Sequence, residues 1–326
     1  MKRRTFIAAV ATAAAALTSM SSVQAADYPS RPIQMIVPWG AGGGTDAVGR
    51  IIASVMQEDL GVPVNVVNRT GGSGVVGHSA IATAKPDGYT IGIATVEIGM
   101  LHWQGLTDMS YKDFDILGIV NQDPAGISVS SSSDFDTAAG LMEAIKSQPA
   151  GTFKASGTAQ GGIWHIALAG LMLDQGLPAD QVTWVPSKGS APALTDMVAG
   201  GVDMVTSSLG EGEAMIRADR VKALATMSKD RLPTFPDVPT LKEAIGSDWT
   251  MAAWRGVFAP AGLPDDVNAR LSEAVEKAYN SAEYKSFMEG RGQGMVWMSG
   301  QEAIDFVANS DASLGKVMKA AGLTAE

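Results

Sequence analysis

The sequence of 326 residues contains no cysteine, which excludes disulfide bonds, thiol chemistry and lipid attachment through a cysteine. Histidine is also scarce, with three residues in the whole chain. Two of them, His78 and His102, have no cysteine or carboxylate at the spacing of metal ligands, so we expect no metal site. We expect no cofactor either, and the stability of the protein must come from packing.

Basic residues are few as well, with 24 Lys and Arg against 34 Asp and Glu. Without the three basic residues at positions 2–4, 21 remain and the net charge is −13. An excess of this sign argues against nucleic acid or an anionic membrane surface as a partner. It also repels anions at long range, so any anion site must consist of fixed donors that act at short range.

The first 25 residues have the pattern of a bacterial secretory signal peptide. The basic residues 2–4 precede an apolar stretch at 6–17, and VQA at 23–25 resembles a cleavage site. The apolar stretch is short for a membrane span, and no later segment reaches the roughly 18 apolar residues that a span needs. We therefore expect a monomeric periplasmic protein that is cleaved near Ala25, exported by either the general or the twin-arginine route.

From residue 33 onwards, apolar runs alternate with glycine loops and amphipathic helices. A strand at 33–37, a glycine loop and a helix are followed by the same order at 64–84, and the pattern recurs at 153–173 and 182–198. This alternation predicts an α/β fold with two parallel-type sheets.

Ligands of open α/β sheets bind at the carboxyl ends of the strands. Two such sheets that face each other predict a two-lobed periplasmic binding protein, type II-like, with a ligand cleft between lobes that hinge on binding. The predicted divisions are a signal peptide at 1–25, a first lobe at 26–121 and 228–326, and a second lobe at 122–227.

The loop VPWGAGGGTD, residues 37–46, is the first candidate binding site. Gly42, Gly43 and Gly44 leave the main chain open to a ligand, and the helix start behind them adds free N–H donors and a positive dipole end. Thr45 is predicted to cap this helix, and Asp46 suits its first turn. Two other interpretations are a turn that needs glycine for geometry alone and a dinucleotide site, which would require a third glycine and a ribose-binding acid.

A second glycine loop, SGTAQGG at residues 156–162, is predicted to face the first loop across the cleft. His165 follows it near a helix N-terminus, which disfavours the charged imidazolium, and it either binds a carboxylate or caps local backbone. Lys188 either contacts the ligand or pairs with an acid, and the tryptophans either line the pocket or pack between the lobes. The further candidate ligand-binding residues are Ser156, Gly157, Thr158, Gly161, Gly162, Ser187, Lys188, Ser207, Trp39 and Trp254.

Five stretches carry a family resemblance. In this order, YPSRPIQMIVPWGAGGGTD, NRTGGSGVVG, KPDGYTI, WVPSKGSAPALTDMVAGGVDMV and FPDVPTLKEA resemble the Bug-type receptors of tripartite tricarboxylate transporters. The resemblance runs from about residue 28 to the C-terminus. It implies a two-lobed fold, capture of a small carboxylate by main-chain N–H groups and water, and delivery to membrane permease subunits. The chain departs from the family pattern in two places. It has Ser187 where the family has tyrosine, and it carries GGIWHIA at the helix after the second glycine loop. Both departures leave the identity of the carboxylate open.

We therefore predict a receptor for a small organic acid and not an enzyme. An exported hydrolase needs a nucleophile with an oriented base, and the sequence contains no G-x-S-x-G motif or recognisable Ser-His-Asp set. A protein that reports ligand to a membrane sensor is the other alternative, because sequence does not separate sensing from transport.

Overall fold

The structure, a computed structural model, describes residues 28–325. The predicted signal peptide lies outside the described residues. Within them, no helix combines the length and the apolar character that crossing a membrane requires.

Strands and helices alternate along most of the chain. The strands are β1 Ile33–Val37, β2 Val64–Asn68, β3 Thr90–Thr95, β4 Phe114–Pro124, β5 Gly126–Ser130, β6 Lys154–Ser156, β7 Thr183–Trp184, β8 Met204–Val205, β9 Val221–Thr226, β10 Ala252–Pro260 and β11 Met295–Met298. The helices are α1 Gly44–Leu60, α2 Val75–Ala82, α3 Ala138–Ser147, α4 Ile163–Asp174, α5 Ser190–Val198, α6 Glu213–Arg217, α7 Leu241–Ile245, α8 Asp265–Asn280, α9 Ala282–Gly290 and α10 Gly300–Ala320. Short 3₁₀ turns include Val96–Gly99 and Leu209–Gly212.

The strands form two sheets, as the sequence predicted. The first sheet has the order β11-β4-β10-β3-β1-β2, and the second has the order β7-β6-β8-β5-β9. The strands that adjoin the glycine loops are parallel: β1 pairs with β2 and β3, and β6 pairs with β7 and β8. Antiparallel strands complete both sheets, because β10 lies against β3 and β4, and β5 lies against β8 and β9. Both sheets are therefore mixed.

Helix α1 shows how the sequence pattern builds the first lobe. Its apolar residues recur every three or four positions, and Val48, Ile52 and Met56 are fully buried. Gly61 ends the helix in the left-handed conformation, with φ of 70°, and its N–H donates to the Gln57 carbonyl. The helix packs against β1, β2 and α8, and so fixes the glycine loop at the carboxyl end of β1.

The C-terminal helices differ in one respect from the sequence pattern. The apolar periodicity of residues 264–288 predicts a single helix, but the chain forms two, α8 and α9, with a break at Ser281. Ser281 has extended backbone angles, and its hydroxyl accepts from the Tyr284 N–H as the N-cap of α9. A capping serine in the middle of an apolar periodicity therefore ended one helix and began the next.

Three segments of chain pass between the two sheets and are hydrogen-bonded to one another. Ala125, between β4 and β5, donates its N–H to the Met251 carbonyl at 2.8 Å. Its own carbonyl accepts from the Met227 N–H at 2.7 Å, and the Met251 N–H donates to the Met227 carbonyl at 3.1 Å. These three residues form the connection about which the two sheets are joined.

Candidate functional site

A narrow cavity lies between the two sheets. Its volume is about 30 Å³, and side chains of the two lobes meet across it, with Glu211 Oε1 2.7 Å from Arg255 Nη2. Both lobes contribute to its walls. The lining residues are Trp39, Gly40, Gly43, Gly44, Thr45, Thr95, Glu97, Thr158, Ile163, Trp164, Gly189, Ser190, Glu211, Ala253, Trp254 and Arg255.

Three helices begin at this cavity, and none of them has a side-chain cap. Glycine occupies the N-cap of each, at Gly43 for α1, Gly162 for α4 and Gly189 for α5. The first N–H groups of a helix have no partner within it, and they carry the positive end of the helix dipole. The cavity is therefore surrounded by main-chain donors from both lobes.

Arg255, in β10, is the central charge of the site and is only 3% exposed. Its Nη1 donates to Asn121 Oδ1 at 2.5 Å and to Asp123 Oδ2 at 2.6 Å, and its Nη2 donates to Glu211 Oε1 at 2.7 Å. Its Nε donates to Thr45 Oγ1 at 2.9 Å. The guanidinium is thus held by partners from both lobes.

Glu211 approaches the first glycine loop from the opposite lobe. A Cβ on Gly44 would lie 2.5 Å from Glu211 Oε1, so any larger residue there would have to displace the Glu211 carboxyl group. Ser190, the first residue of α5, donates its hydroxyl to Glu211 Oε2 at 2.6 Å. Burial raises the pKa of the Glu211 carboxyl, and the attraction of Arg255 opposes this rise.

Glu97 makes the reciprocal contact, from the first lobe to the second. Its Oε1 accepts from the Ile163 N–H at 3.4 Å, at the start of α4, and its Oε2 accepts from the Thr95 hydroxyl at 2.5 Å. Burial also raises the pKa of Glu97, although these hydrogen bonds act in the opposite direction. Each lobe therefore presents one buried carboxyl group to a helix N-terminus of the other lobe.

Three tryptophans form apolar walls, and each has a hydrogen-bond partner for its indole N–H. Trp39 donates to Thr95 Oγ1 at 3.2 Å, Trp164 to Ser190 Oγ at 3.2 Å and Trp254 to Ser310 Oγ at 3.0 Å. All three are buried. Their orientations are fixed by these bonds, so the apolar surfaces are held in place around the carboxyl groups.

Six of the residues that the sequence singled out line this cavity: Trp39, Gly43, Gly44, Thr45, Thr158 and Trp254. Thr45 has a different part from the one predicted. The N-cap of α1 is Gly43, so the interpretation of Thr45 as the cap was wrong. Its hydroxyl instead accepts from Arg255 Nε.

The other two candidates of the first loop, Gly42 and Asp46, make hydrogen bonds within the first lobe. Asp46 accepts from the Gly42 N–H at 3.0 Å, from Arg50 Nε at 2.9 Å and from Asn68 Nδ2 at 2.8 Å. Burial opposes ionisation of Asp46, but these bonds outweigh it and lower its pKa. Gly42 and Asp46 therefore brace the loop from outside the cavity.

The second glycine loop contributes Thr158 and, through the helix behind it, Ile163 and Trp164. His165 points to another side of α4, where its Nδ1 accepts from the Gly161 N–H at 3.0 Å and its ring stacks on Trp184. The remaining candidates lie outside the lining of the cavity: Ser156, Gly157, Gly161, Gly162, His165, Ser187, Lys188 and Ser207. The Ser156 hydroxyl donates to the Val185 carbonyl, and the Ser187 hydroxyl donates to the Gly189 carbonyl.

The first glycine loop also approaches the loop around Lys188. A Cβ on Gly40 would lie 3.6 Å from the Lys188 carbonyl oxygen. Sequence reasoning also missed Glu97, Glu211 and Arg255. The one signal available was that Glu97 and Arg255 are lone charged residues within otherwise apolar segments, TIGIATVEIGM and MAAWRGVFA.

Known proteins resemble this chain over most of its length. The model of the tripartite tricarboxylate transporter family receptor matches residues 48–323. A UPF0065 protein in the tcbD-tcbE intergenic region of Pseudomonas sp. strain P51 is 36% identical, over 85% of this chain and 82% of that protein. Among solved structures, the periplasmic binding protein BugD is 27% identical with a TM-score of 0.85, over 92% of this chain and 100% of that one. R. palustris Rpa4515 with adipate is 28% identical with a TM-score of 0.85, over 91% of this chain and 99% of that one.

Proposed function

The chain belongs to the tripartite tricarboxylate transporter receptor family, and from this premise we propose that it captures a small organic carboxylate between its lobes and delivers it to the permease subunits of such a transporter. Residues 1–25 direct its export, and the protein acts as a monomer in the periplasm. Its role is to bind and release, without catalysis.

The convergence of three helix N-termini on one interlobe cavity carries this proposal. Helices α1, α4 and α5 begin there with glycine at the N-cap and no side-chain cap. Free N–H groups and positive dipole ends are suited to a carboxylate. Rpa4515, with the same fold, is described with adipate, a dicarboxylate.

The ligand contacts in this proposal are the cavity residues of both lobes. From the predicted set they are Trp39, Gly43, Gly44, Thr45, Thr158 and Trp254, and Arg255 and Ser190 are added to them. The first lobe comprises residues 26–121 and 228–326, and the second comprises 122–227. The hydrogen-bonded crossing of Ala125, Met227 and Met251 supports a hinge between these lobes.

A thermal-shift screen of organic acids, each paired with its methyl ester, tests the proposal. A ligand of the native state raises the apparent melting temperature by mass action. We expect at least one acid to do so, and its ester to bind about ten- to a hundredfold more weakly, because buried N–H donors left without partners cost roughly 1–3 kcal/mol. Equal binding of acid and ester, or no response to any acid, would contradict carboxylate capture.

A further inference from the structure

The cavity is lined by more acidic than basic side chains. Arg255 is the one basic side chain among the described residues that line it, whereas Glu97 and Glu211 line it and Asp123 lies directly behind the guanidinium. The three helix N-termini add about half a positive charge each. Burial raises the pKa of both Glu97 and Glu211, and a cationic group beside them would favour their ionised forms, so the site suits a cation better than a further anion.

The resident carboxyl groups are placed where a ligand anion would otherwise meet the donors. Glu97 accepts from the first N–H of α4, and Glu211 lies against Gly44 while it accepts from Ser190 at the start of α5. The two carboxyl groups thus lie beside all three helix starts, but among the described residues only the Ile163 N–H donates to one of them, so the other first N–H groups of these helices stay open to a ligand carboxylate. A purely anionic ligand would add further negative charge to a buried site, which is costly.

Two further observations indicate which ligand groups the cavity can bind. Thr158 lines it, is 7% exposed, and its hydroxyl has no hydrogen-bond partner within residues 28–325. Trp39, Trp164 and Trp254 surround the same space, and indole rings beside carboxylates form a common environment for organic cations. The cavity therefore offers an unpartnered hydroxyl, apolar walls and two carboxyl groups.

We propose that the ligand is a small zwitterionic acid, in which a carboxylate binds the main-chain donors and a cationic group, such as an ammonium, lies between Glu97 and Glu211. This inference rests on the proposed function, and it adds that the two glutamates select for the cation. Dicarboxylates of the same length are discriminated against, because their second carboxylate meets these two side chains.

Matched ligand pairs that differ only at one end test this selectivity by calorimetric titration and thermal shift. The pairs are glycine and malonate, β-alanine and succinate, and 4-aminobutanoate and glutarate, with N-acetyl-4-aminobutanoate to remove the cation. We expect the amino acid of at least one pair to bind at least tenfold more tightly than the dicarboxylate. If 4-aminobutanoate binds more tightly than glutarate, N-acetyl-4-aminobutanoate should not, because acetylation removes the cation.

Isosteric variants assign the effect to the two glutamates. Glu97→Gln and Glu211→Gln each remove a charge with little change of shape, and each should reduce the preference for the amino acid at least tenfold. Glu143→Gln, at an exposed position of α3, is the matched control and should leave the preference unchanged.

The outcomes separate this inference from the proposed function. If an acid binds but no amino acid binds at least tenfold more tightly than its dicarboxylate partner, or if both glutamine variants keep the wild-type preference, the inference is wrong while carboxylate capture stands. If neither member of any pair binds and the wider screen of acids also gives no response, the proposed function is contradicted as well.

Discussion

Arg255 and Glu211 join the two lobes through a buried ion pair, with 2.7 Å between Nη2 and Oε1 and side-chain exposures of 3% and 5%. Arg255 belongs to β10 of the first sheet, and Glu211 belongs to the 3₁₀ turn that follows β8 of the second. Asp123 holds the other side of the guanidinium at 2.6 Å. Since its partners come from both sheets, full pairing of Arg255 requires the lobes to be closed.

We expect Arg255→Met to lower the free energy of unfolding by about 3–5 kcal/mol at pH 7, because two carboxyl groups then stay buried without their cation. Burial raises the pKa of Glu211, and removal of the guanidinium strengthens this effect. A carboxyl group whose pKa is higher in the folded state favours folding at low pH. The loss of stability in Arg255→Met, relative to the wild type, should therefore become smaller as the pH falls below neutrality.

Urea denaturation at pH 7 and at pH 5 measures both effects. Arg231→Met is the matched control, because Arg231 pairs with Glu243 at the surface, with side chains 45% and 46% exposed. An exposed pair contributes at most about 1 kcal/mol. If the two variants lose equal stability, the buried pair has no special energetic role.

His78 should make the stability of the protein depend on pH. It is fully buried; its Nε2 accepts from the Thr95 N–H at 3.2 Å, so Nδ1 carries the proton and donates to the Gly74 carbonyl at 2.9 Å. Burial lowers the pKa of His78 from 6.5 to about 4, and burial lowers that of His165 in the same way. The unfolded chain binds these protons at higher pH than the folded chain does.

The contribution of these two histidines to the free energy of unfolding should consequently decrease as the pH falls from about 6.5 to about 4, whereas the raised pKa of Glu97 and Glu211 acts in the opposite direction. His78→Gln removes one of the two groups and should flatten this decrease by about half, as measured by urea denaturation at closely spaced pH values. His165→Gln should have a comparable effect. A decrease as steep in both variants as in the wild type would show that other groups cause it.

The sequence predicted the parts of the fold that depend on local periodicity. The apolar run of β1, the amphipathic pattern of α1 and the glycine that ends it are contiguous, so they are visible without the tertiary structure. It did not predict β5, whose sequence GISVS is short and continues into further serines. The sequence pattern also does not predict that β10 runs antiparallel to its neighbours. This direction depends on pairing with β4, which lies more than a hundred residues earlier in the chain.

The site was predictable to the same extent. The glycine loop that contains Gly43 and Gly44 predicts free main-chain donors, and both glycines line the cavity. Glu97, Glu211 and Arg255 were missed because each stands alone in a separate segment. These three residues come together only when one lobe packs on the other. Their positions along the sequence do not indicate this tertiary contact.

Gly44 and its neighbour Gly43 offer a test of how closely the lobes must approach. A Cβ on Gly44 would lie 2.5 Å from Glu211 Oε1 and 2.9 Å from Glu211 Cγ, whereas a Cβ on Gly43 would meet only the Gly40 carbonyl oxygen at 3.6 Å. Gly43 has φ of −79°, which alanine adopts without strain. Gly43→Ala is therefore the matched control for lobe closure in Gly44→Ala, and its affinity reports on the ligand contact proposed for Gly43.

We expect Gly44→Ala to fold but to close incompletely. Gly44 is the first residue of α1, where alanine favours the helix. Glu211 cannot swing aside freely, because Arg255 and Ser190 hold its two oxygens. Displacing it sacrifices a hydrogen bond to a charged group, roughly 1.5–3 kcal/mol, so ligand binding should weaken about ten- to a hundredfold.

Small-angle scattering and calorimetry separate closure from ligand contact. With an acid identified by the thermal-shift screen at saturation, wild type and Gly43→Ala should become more compact, and Gly44→Ala should do so less or not at all. If Gly43→Ala closes normally but loses affinity, Gly43 faces the ligand itself. If Gly44→Ala compacts and binds like the wild type, the contact between Gly44 and Glu211 does not limit closure, and the glycine there serves the geometry of the turn alone.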